Sequence, residues 1–146
     1  MQPTRRPEIC VGAIVVDHGC LLLIRRGTAP QAGRWSIPGG RVEWGEALPA
    51  AVERELYEET GVRANAGELV GWAERIDGEH HFVIFDFLAH VADAAAEPIP
   101  RAGDDAADAR WVPLHDVDRW DLVAHLGEFL RAHGIIASSS ESAGGA

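Results

Sequence analysis

The chain has 146 residues and a mass of 15.7 kDa, enough for one domain that buries roughly 70% of its unfolded surface. Apolar residues make up 47% and charged residues 25%, which excludes a globally disordered chain. Thirteen basic residues, all arginine, stand against 23 acidic ones for a net charge of −10, so a nucleic-acid strand or an anionic membrane surface would be repelled.

No apolar run reaches the roughly 20 residues of a membrane span. The opening MQPTRRPE lacks the pattern of a secretory leader, so a cytoplasmic protein is expected. Cys10 and Cys20 both lie in apolar runs and are expected as reduced core thiols.

Residues Ile9–Val16 and Leu21–Ile24 are apolar at consecutive positions and are separated by Asp17-His18-Gly19. They predict a hairpin of two strands covered on both faces. Arg25-Arg26-Gly27 ends the second strand, and a loop punctuated by Pro30 and Gly33 follows. Residues Arg34 to Gly40 predict a short extended piece and a tight turn, with Arg41–Glu43 as a further short strand. A helix is expected over Ala47–Thr60, stopped by Gly61. Glu68–Ile76 and His80–Val91 predict a second hairpin across Asp77-Gly78. The stretch Asp93–Asp108 is acidic and Ala/Pro-rich and predicts a loop. Ala109–Val112 predicts a short strand. A last helix is expected over Arg119–His133, capped by Asp118, with Leu122, Leu126, Phe129 and Leu130 facing a sheet. The expected organisation is a single α/β domain over residues 1–136 with a mixed sheet between helices, followed by a disordered tail over 137–146.

The segment from Arg41 to Thr60 carries the chemistry. It holds two arginines against six glutamates, a net of −4. On a helix starting at Leu48, Val52 falls at about 40°, Glu55 at about 340° and Glu59 at about 20°. Two carboxylates therefore share the apolar stripe, whereas a solvated helix places its acids opposite it. Glu58, at about 280°, turns toward the protein beside Ala51, and Glu53, at about 140°, points out. Inward carboxylates are costly without a cation. Oxygen ligands suit Mg²⁺ or Mn²⁺, and Mg²⁺ recruits substrate phosphates. The Pro38-Gly39-Gly40 turn lets backbone approach a ligand, and a carbonyl there adds a donor. Glu46 is placed to cap or orient the helix.

This segment resembles the Nudix box, G-x5-E-x7-R-E-U-x-E-E-x-G-U with U a bulky aliphatic residue. Gly40, Glu46, Arg54, Glu55, Leu56, Glu58, Glu59, Gly61 and Val62 match it without departure. Seven fixed residues coincide by chance on the order of 10⁻⁹ times per starting position, so the match is specific. The looser resemblance extends over VGAIVV, LLLIRR, WSIPGG and ARWVPL. It implies an α/β/α sandwich with a loop-helix-loop motif that binds Mg²⁺ or Mn²⁺ and hydrolyses a nucleoside diphosphate linked to another moiety. By the same resemblance Glu55, Glu58 and Glu59, with the Gly39 carbonyl, are metal ligands. Arg54 orients the glutamates, and Glu46 is a weaker ligand candidate. Gly39 and Gly40 border the substrate.

The resemblance implies that the general base is either a box glutamate or an acid on the loop before Trp111. That loop holds Asp104, Asp105 and Asp108, and Asp105, by its spacing to the tryptophan, is the residue that resembles the loop acid of Nudix relatives. Arg25 and Arg26 alternate in orientation, so one of them faces the phosphates; Arg25 and Arg34 are the substrate-binding candidates. Trp35, Trp44, Trp72 and Phe82 are candidates to stack on a base, each against ordinary packing. His80-His81 is a strand start, since adjacent strand residues point to opposite faces.

HHFVIFDFLA followed by DDAADARWVPL resembles the bacterial ADP-ribose pyrophosphatase branch. ADP-ribose or a related nucleotide sugar is therefore the lead substrate. A nucleoside triphosphate pyrophosphohydrolase and a non-catalytic nucleotide sensor are the alternatives. The expected partners are a small nucleotide and possible copies of the chain as a homodimer, with no nucleic-acid polymer and no membrane.

Overall fold

Strand β1 (Glu8–Ile14) organises the first sheet. In the computed structural model, which describes residues 5–92, 100–103 and 105–138, β1 lies between β5 (Gly39–Arg41), antiparallel to it, and β7 (His81–Val91), parallel to it. β6 (Ala64–Ile76) pairs antiparallel with the other side of β7, giving the mixed order β5-β1-β7-β6. The second sheet is built on β3 (Cys20–Arg26). β8 (Ala106–Pro113) runs along its length, and β2 (Val16–Asp17) and β4 (Trp35–Ser36) pair with its two ends.

The expected first hairpin survives only at its tip, where Val16 faces Leu21 and Asp17 faces Cys20. β1 already has a partner strand on each side, so its ladder groups are spent within its own sheet. The chain crosses to the second sheet at Val15. His18 and Gly19 both take positive φ, 49° and 75°, as a tight two-residue hairpin turn requires. The extended piece after Arg34 crosses back, so the short strand is Gly39–Arg41 and not Arg41–Glu43.

Helix α1 (Leu48–Thr60) forms as expected, and Gly61 closes it in the left-handed region with its amide on the Tyr57 carbonyl. Its buried residues Ala51, Val52 and Leu56 pack on Val11, Ala13, Val15, Phe87 and Ala89. A second core holds Ile14, Leu21, Leu23 and Ile37 against Val112, Val117, Leu126 and Leu130. β3 supplies Leu22 to one core and Leu21 and Leu23 to the other. That is why its sequence is apolar without alternation.

The last helix is shorter than its pattern. A 3₁₀ helix covers Leu114–Arg119, and α2 runs only over Leu126–Ala132. Between them, Leu122 bridges to Trp35, with the Trp35 amide on the Asp121 carbonyl at 2.8 Å and the Val123 amide on the Trp35 carbonyl at 2.8 Å. The open edge at β4 holds this segment through a single parallel bridge at Leu122, and tertiary pairing overrides helical spacing. Asp118 is therefore no cap; it binds Arg131 at 2.6 Å. The second hairpin turns over Asp77–His80, with the Asp77 carboxylate accepting the Glu79 and His80 amides, each at 2.8 Å. β8 begins three residues before the expected strand. Residues 93–99, Asp104 and most of the expected tail (139–146) lie outside the described residues.

Candidate active site

The box helix points its charged residues at the junction of the two sheets. Glu59 is 8% exposed, and its Oε1 accepts the Gly39 amide at 2.7 Å. Burial pushes its carboxyl up to about 7; the charges of Glu55 and Asp105 add to the rise, and the Gly39 hydrogen bond and Arg26 oppose it. Burial also raises Glu55, against the pull of Arg54. Glu58 sits on the rim, exposed. The helical-wheel expectation thus holds for Glu55 and Glu59, while Glu58 faces water.

Arg54 ties this cluster together. Its Nε and Nη2 donate to the two oxygens of Glu46 at 2.7 and 2.9 Å. Its Nη1 donates to Glu55 at 2.8 Å and to Glu58 at 3.1 Å, and its Nη2 also reaches the Arg41 carbonyl at 3.1 Å. Charge-assisted bonds of this kind hold the acids in place. Glu46 caps no helix. Both its oxygens are committed to Arg54, its Oε1 also accepts the Glu43 amide at 3.0 Å, and these bonds lower its carboxyl to about 2. Glu53 points outward as expected, and its carboxylate accepts the Ala66 amide at 2.9 Å.

Gly40 is required by packing. A Cβ there would lie 2.5 Å from the Glu55 carboxylate, so the acid can rest against bare backbone only at a glycine. Asp105 is brought to the same place by two backbone latches. The Arg101 and Gly103 amides bind the Thr60 and Glu59 carbonyls at the end of α1, and the Gly27 amide binds the Asp105 carbonyl. These latches also satisfy orphan carbonyls of the helix terminus.

One cleft of about 600 Å³ gathers Gly39, Gly40, Glu55, Glu58, Glu59 and Asp105 with Arg26 and the apolar Ile24, Ile37, Phe82 and Ile84. Its size is that of a small-molecule site. Arg26, not Arg25, enters it. A register shift in the β3–β8 pairing falls between the two residues; Arg25 is exposed, and Arg26 donates from Nε to the Pro30 carbonyl at 2.7 Å. Arg34 does not line the cleft; it donates to Gln31 at 3.3 Å and lies 3.8 Å from Asp121. Of the four aromatic candidates only Phe82 lines the cleft, with the His80 ring stacked on it at 5.1 Å. Trp35 packs on Trp120, and Trp44 and Trp72 face water. Asp108 turns away to the Ala109 amide and Arg110. Cys10 and Cys20 are free thiols, and burial pushes Cys10 up to about 11. The sequence reading passed over Gly12 and Asp86, which also line the cleft. Their only sequence signal is a lone acid inside the apolar run FVIFDFLA.

The donor set suits a hard divalent cation, since it offers carboxylate and backbone oxygens and no thiolate. The raised carboxyls of Glu55 and Glu59 are what an adjacent cation would lower. Among the described residues no three such side chains are already gathered at coordinating geometry; Arg54 lies between Glu55 and Glu58. No described helix is long and apolar enough to cross a membrane.

Comparison with known proteins agrees with this geometry. The family model described as the NUDIX domain matches residues 6–133. An ADP-ribose pyrophosphatase of Methanocaldococcus jannaschii is 32% identical over 115 residues, which cover 77% of this chain and 66% of that protein. A nucleoside triphosphatase, NudI, of Salmonella arizonae is 27% identical, covering 90% of this chain and 99% of its own. The crystal structure of a MutT NUDIX hydrolase from Burkholderia pseudomallei superposes with a TM-score of 0.71 at 33% identity, covering 92% of this chain and all of that one. The chain spans just under two thirds of the archaeal relative and 38% of a further relative from Danio rerio. Fold, box and cleft agree with these matches: the chain belongs to the Nudix hydrolase family.

Proposed function

We propose that the protein is a Mg²⁺- or Mn²⁺-dependent hydrolase of a nucleoside diphosphate linked to a second moiety, with ADP-ribose or a related nucleotide sugar as lead substrate. The observation that carries this reading is the meeting of Glu55, Glu58, Glu59, Arg26 and Asp105 in one cleft with Ile37, Phe82 and Ile84. Phosphates require the charged group, and a heterocycle is matched by the apolar one. The 32% identity to an ADP-ribose pyrophosphatase supports the lead substrate.

Glu55, Glu58 and Glu59, with the Gly39 carbonyl, would hold the cation. When bound it neutralises charge on the phosphate oxygens and makes nearby water more acidic. Arg54 keeps the glutamates from swinging apart. Arg26 binds a phosphate oxygen. Water adds to one phosphorus, the bridging P–O bond breaks with its electron pair passing to the departing phosphate, and a cleft carboxylate takes the proton. Asp105, latched to α1 and to Gly27, is the assigned acceptor.

A second reading, a nucleoside triphosphate pyrophosphohydrolase, is favoured by the near full-length match to NudI. A substrate panel with Mg²⁺ separates them. AMP plus ribose phosphate from ADP-ribose supports the first reading, and a nucleoside monophosphate plus pyrophosphate supports the second. Nucleotide binding without turnover would overturn both in favour of a sensor.

A further inference from the structure

Asp86 lies in the middle of β7, is 6% exposed, and its Oδ1 is buried with no hydrogen-bond partner among the described residues. A buried carboxylate oxygen left unpaired is costly, and such groups in folded proteins call for an explanation. Desolvation pushes the carboxyl up to about 6. Among the described residues no cation pairs with it. Of the arginines lining the same cleft, Arg26 donates to the Pro30 carbonyl, Arg41 pairs with Glu8 at 3.0 Å, and Arg75 stands in register with Phe82 and not with Asp86.

The neighbouring strand is shaped around this side chain. Asp86 stands in register with Gly12 on β1. A Cβ at position 12 would lie 2.1 Å from Asp86 Oδ1 and 2.9 Å from Ile37 Cδ1. Any larger residue would expel the carboxylate from the space it occupies over β1. Both residues line the cleft that holds the box glutamates, alongside Ile37 and Ile84. A leucine or asparagine at position 86 would fill the strand at lower cost, so packing alone does not account for an acid there.

We propose that Asp86 is a specificity-determining residue whose carboxylate accepts a hydrogen bond from the exocyclic amino group of an amino-bearing nucleobase. The inference rests on the nucleotide-hydrolase reading above. Of the described carboxylates that line the cleft Asp86 is the most buried and, unlike Glu59, accepts no backbone amide, so a base N–H that reaches it meets an unpaired acceptor. A base carrying a carbonyl in place of the amine sets two acceptors against each other. Discrimination of this type is strong because the wrong ligand leaves a buried polar group unpaired.

The test compares matched pairs that differ by that group, ADP-ribose with its hypoxanthine counterpart and CTP with UTP, in wild type, Asp86→Asn and Gly12→Ala. Wild type is expected to favour the amino member of its preferred pair by about 10- to 100-fold in kcat/KM, the worth of one hydrogen bond to a charged acceptor. Asp86→Asn keeps the shape and can present an N–H to a carbonyl. Its preference should fall at least tenfold or invert, with the change residing mainly in KM. Gly12→Ala, which displaces Oδ1, should lower the same ratio. Calorimetric titration of AMP and IMP into each protein without metal reads the same ratio independently of turnover and reports whether a variant has lost its fold. Unchanged ratios in both variants, with hydrolysis intact, would overturn this assignment and leave the hydrolase reading standing. Failure of wild type to bind or hydrolyse any of these nucleotides would overturn both.

Discussion

Replacing Glu59 with glutamine should make the metal-free protein more stable at pH 8 while nearly abolishing turnover. The carboxyl lies at about 7 in the fold against 4.5 unperturbed. An acid raised in this way carries no penalty below 4.5, where it is protonated in both states. The penalty grows as pH rises from there and is complete above 7. The full interval corresponds to about 3 kcal/mol of destabilisation at pH 8, and to less than about 1 kcal/mol at pH 5. Glutamine keeps an oxygen for the Gly39 amide but must house an amide N–H₂, so the expected net gain at pH 8 is about 1–3 kcal/mol. For a chain of this size each kcal/mol moves Tm by about 2–4 °C. Thermal and urea unfolding in EDTA at pH 5 and pH 8 measure it. Mg²⁺ at about 100 times its Kd should then restore wild type by about 2.7 kcal/mol and help the variant less. Turnover of the variant should fall about 100-fold or more. A difference between the two proteins that is the same at both pH values would refute the argument, because its source is the cost of ionising Glu59, set first by desolvation and then by the charges of Glu55 and Asp105.

The other predictions concern the supports of the site. Gly40→Ala should cut turnover at least about tenfold with little change in Tm, since the new methyl displaces only the Glu55 carboxylate, 2.5 Å away; wild-type kinetics would show that this carboxylate's position is immaterial. Gly103→Ala places a Cβ 2.4 Å from the Glu58 carbonyl, a backbone atom that cannot step aside, and should cost about 1–3 kcal/mol in urea unfolding. Asp105→Asn should lower kcat more than it raises KM. Asp116→Asn, on the 3₁₀ helix, serves as its control, and identical kcat values in the two variants would return the base to the box. Glu53→Gln should leave kcat unchanged in the same assay, because its contact is with the Ala66 amide on the outer face of α1.

The sequence alone determined the box helix and the inward turn of Glu55 and Glu59 because the relevant contacts are local. Glu55, Glu58, Glu59 and Arg54 lie within six consecutive residues, and helical geometry sets their relative directions whatever surrounds them. Gly61 and the apolar stripe set its end and its buried face. The consecutive apolar residues of β1 and β3 likewise announced strands covered on both sides. Tertiary structure decided everything that depends on which distant strand supplies a partner. β1 is hydrogen-bonded to β5 and β7, so the apparent hairpin of Ile9–Val16 and Leu21–Ile24 is divided between two sheets. The open edge at Trp35 draws Asp121–Val123 out of a helical pattern. Arg26 shares a face of β3 with Ile24, and the packing of the two sheets makes that face the cleft wall, so Arg26 and not Arg25 enters. Asp86 depends on long-range placement most of all. In the sequence it is one acid in an apolar strand, and only the glycine opposite it, 74 positions earlier in the chain, shows that the fold keeps room for its carboxylate. Spacing along a chain encodes directions within one element, whereas pairing between elements is settled by which apolar surfaces and unpaired backbone groups find each other.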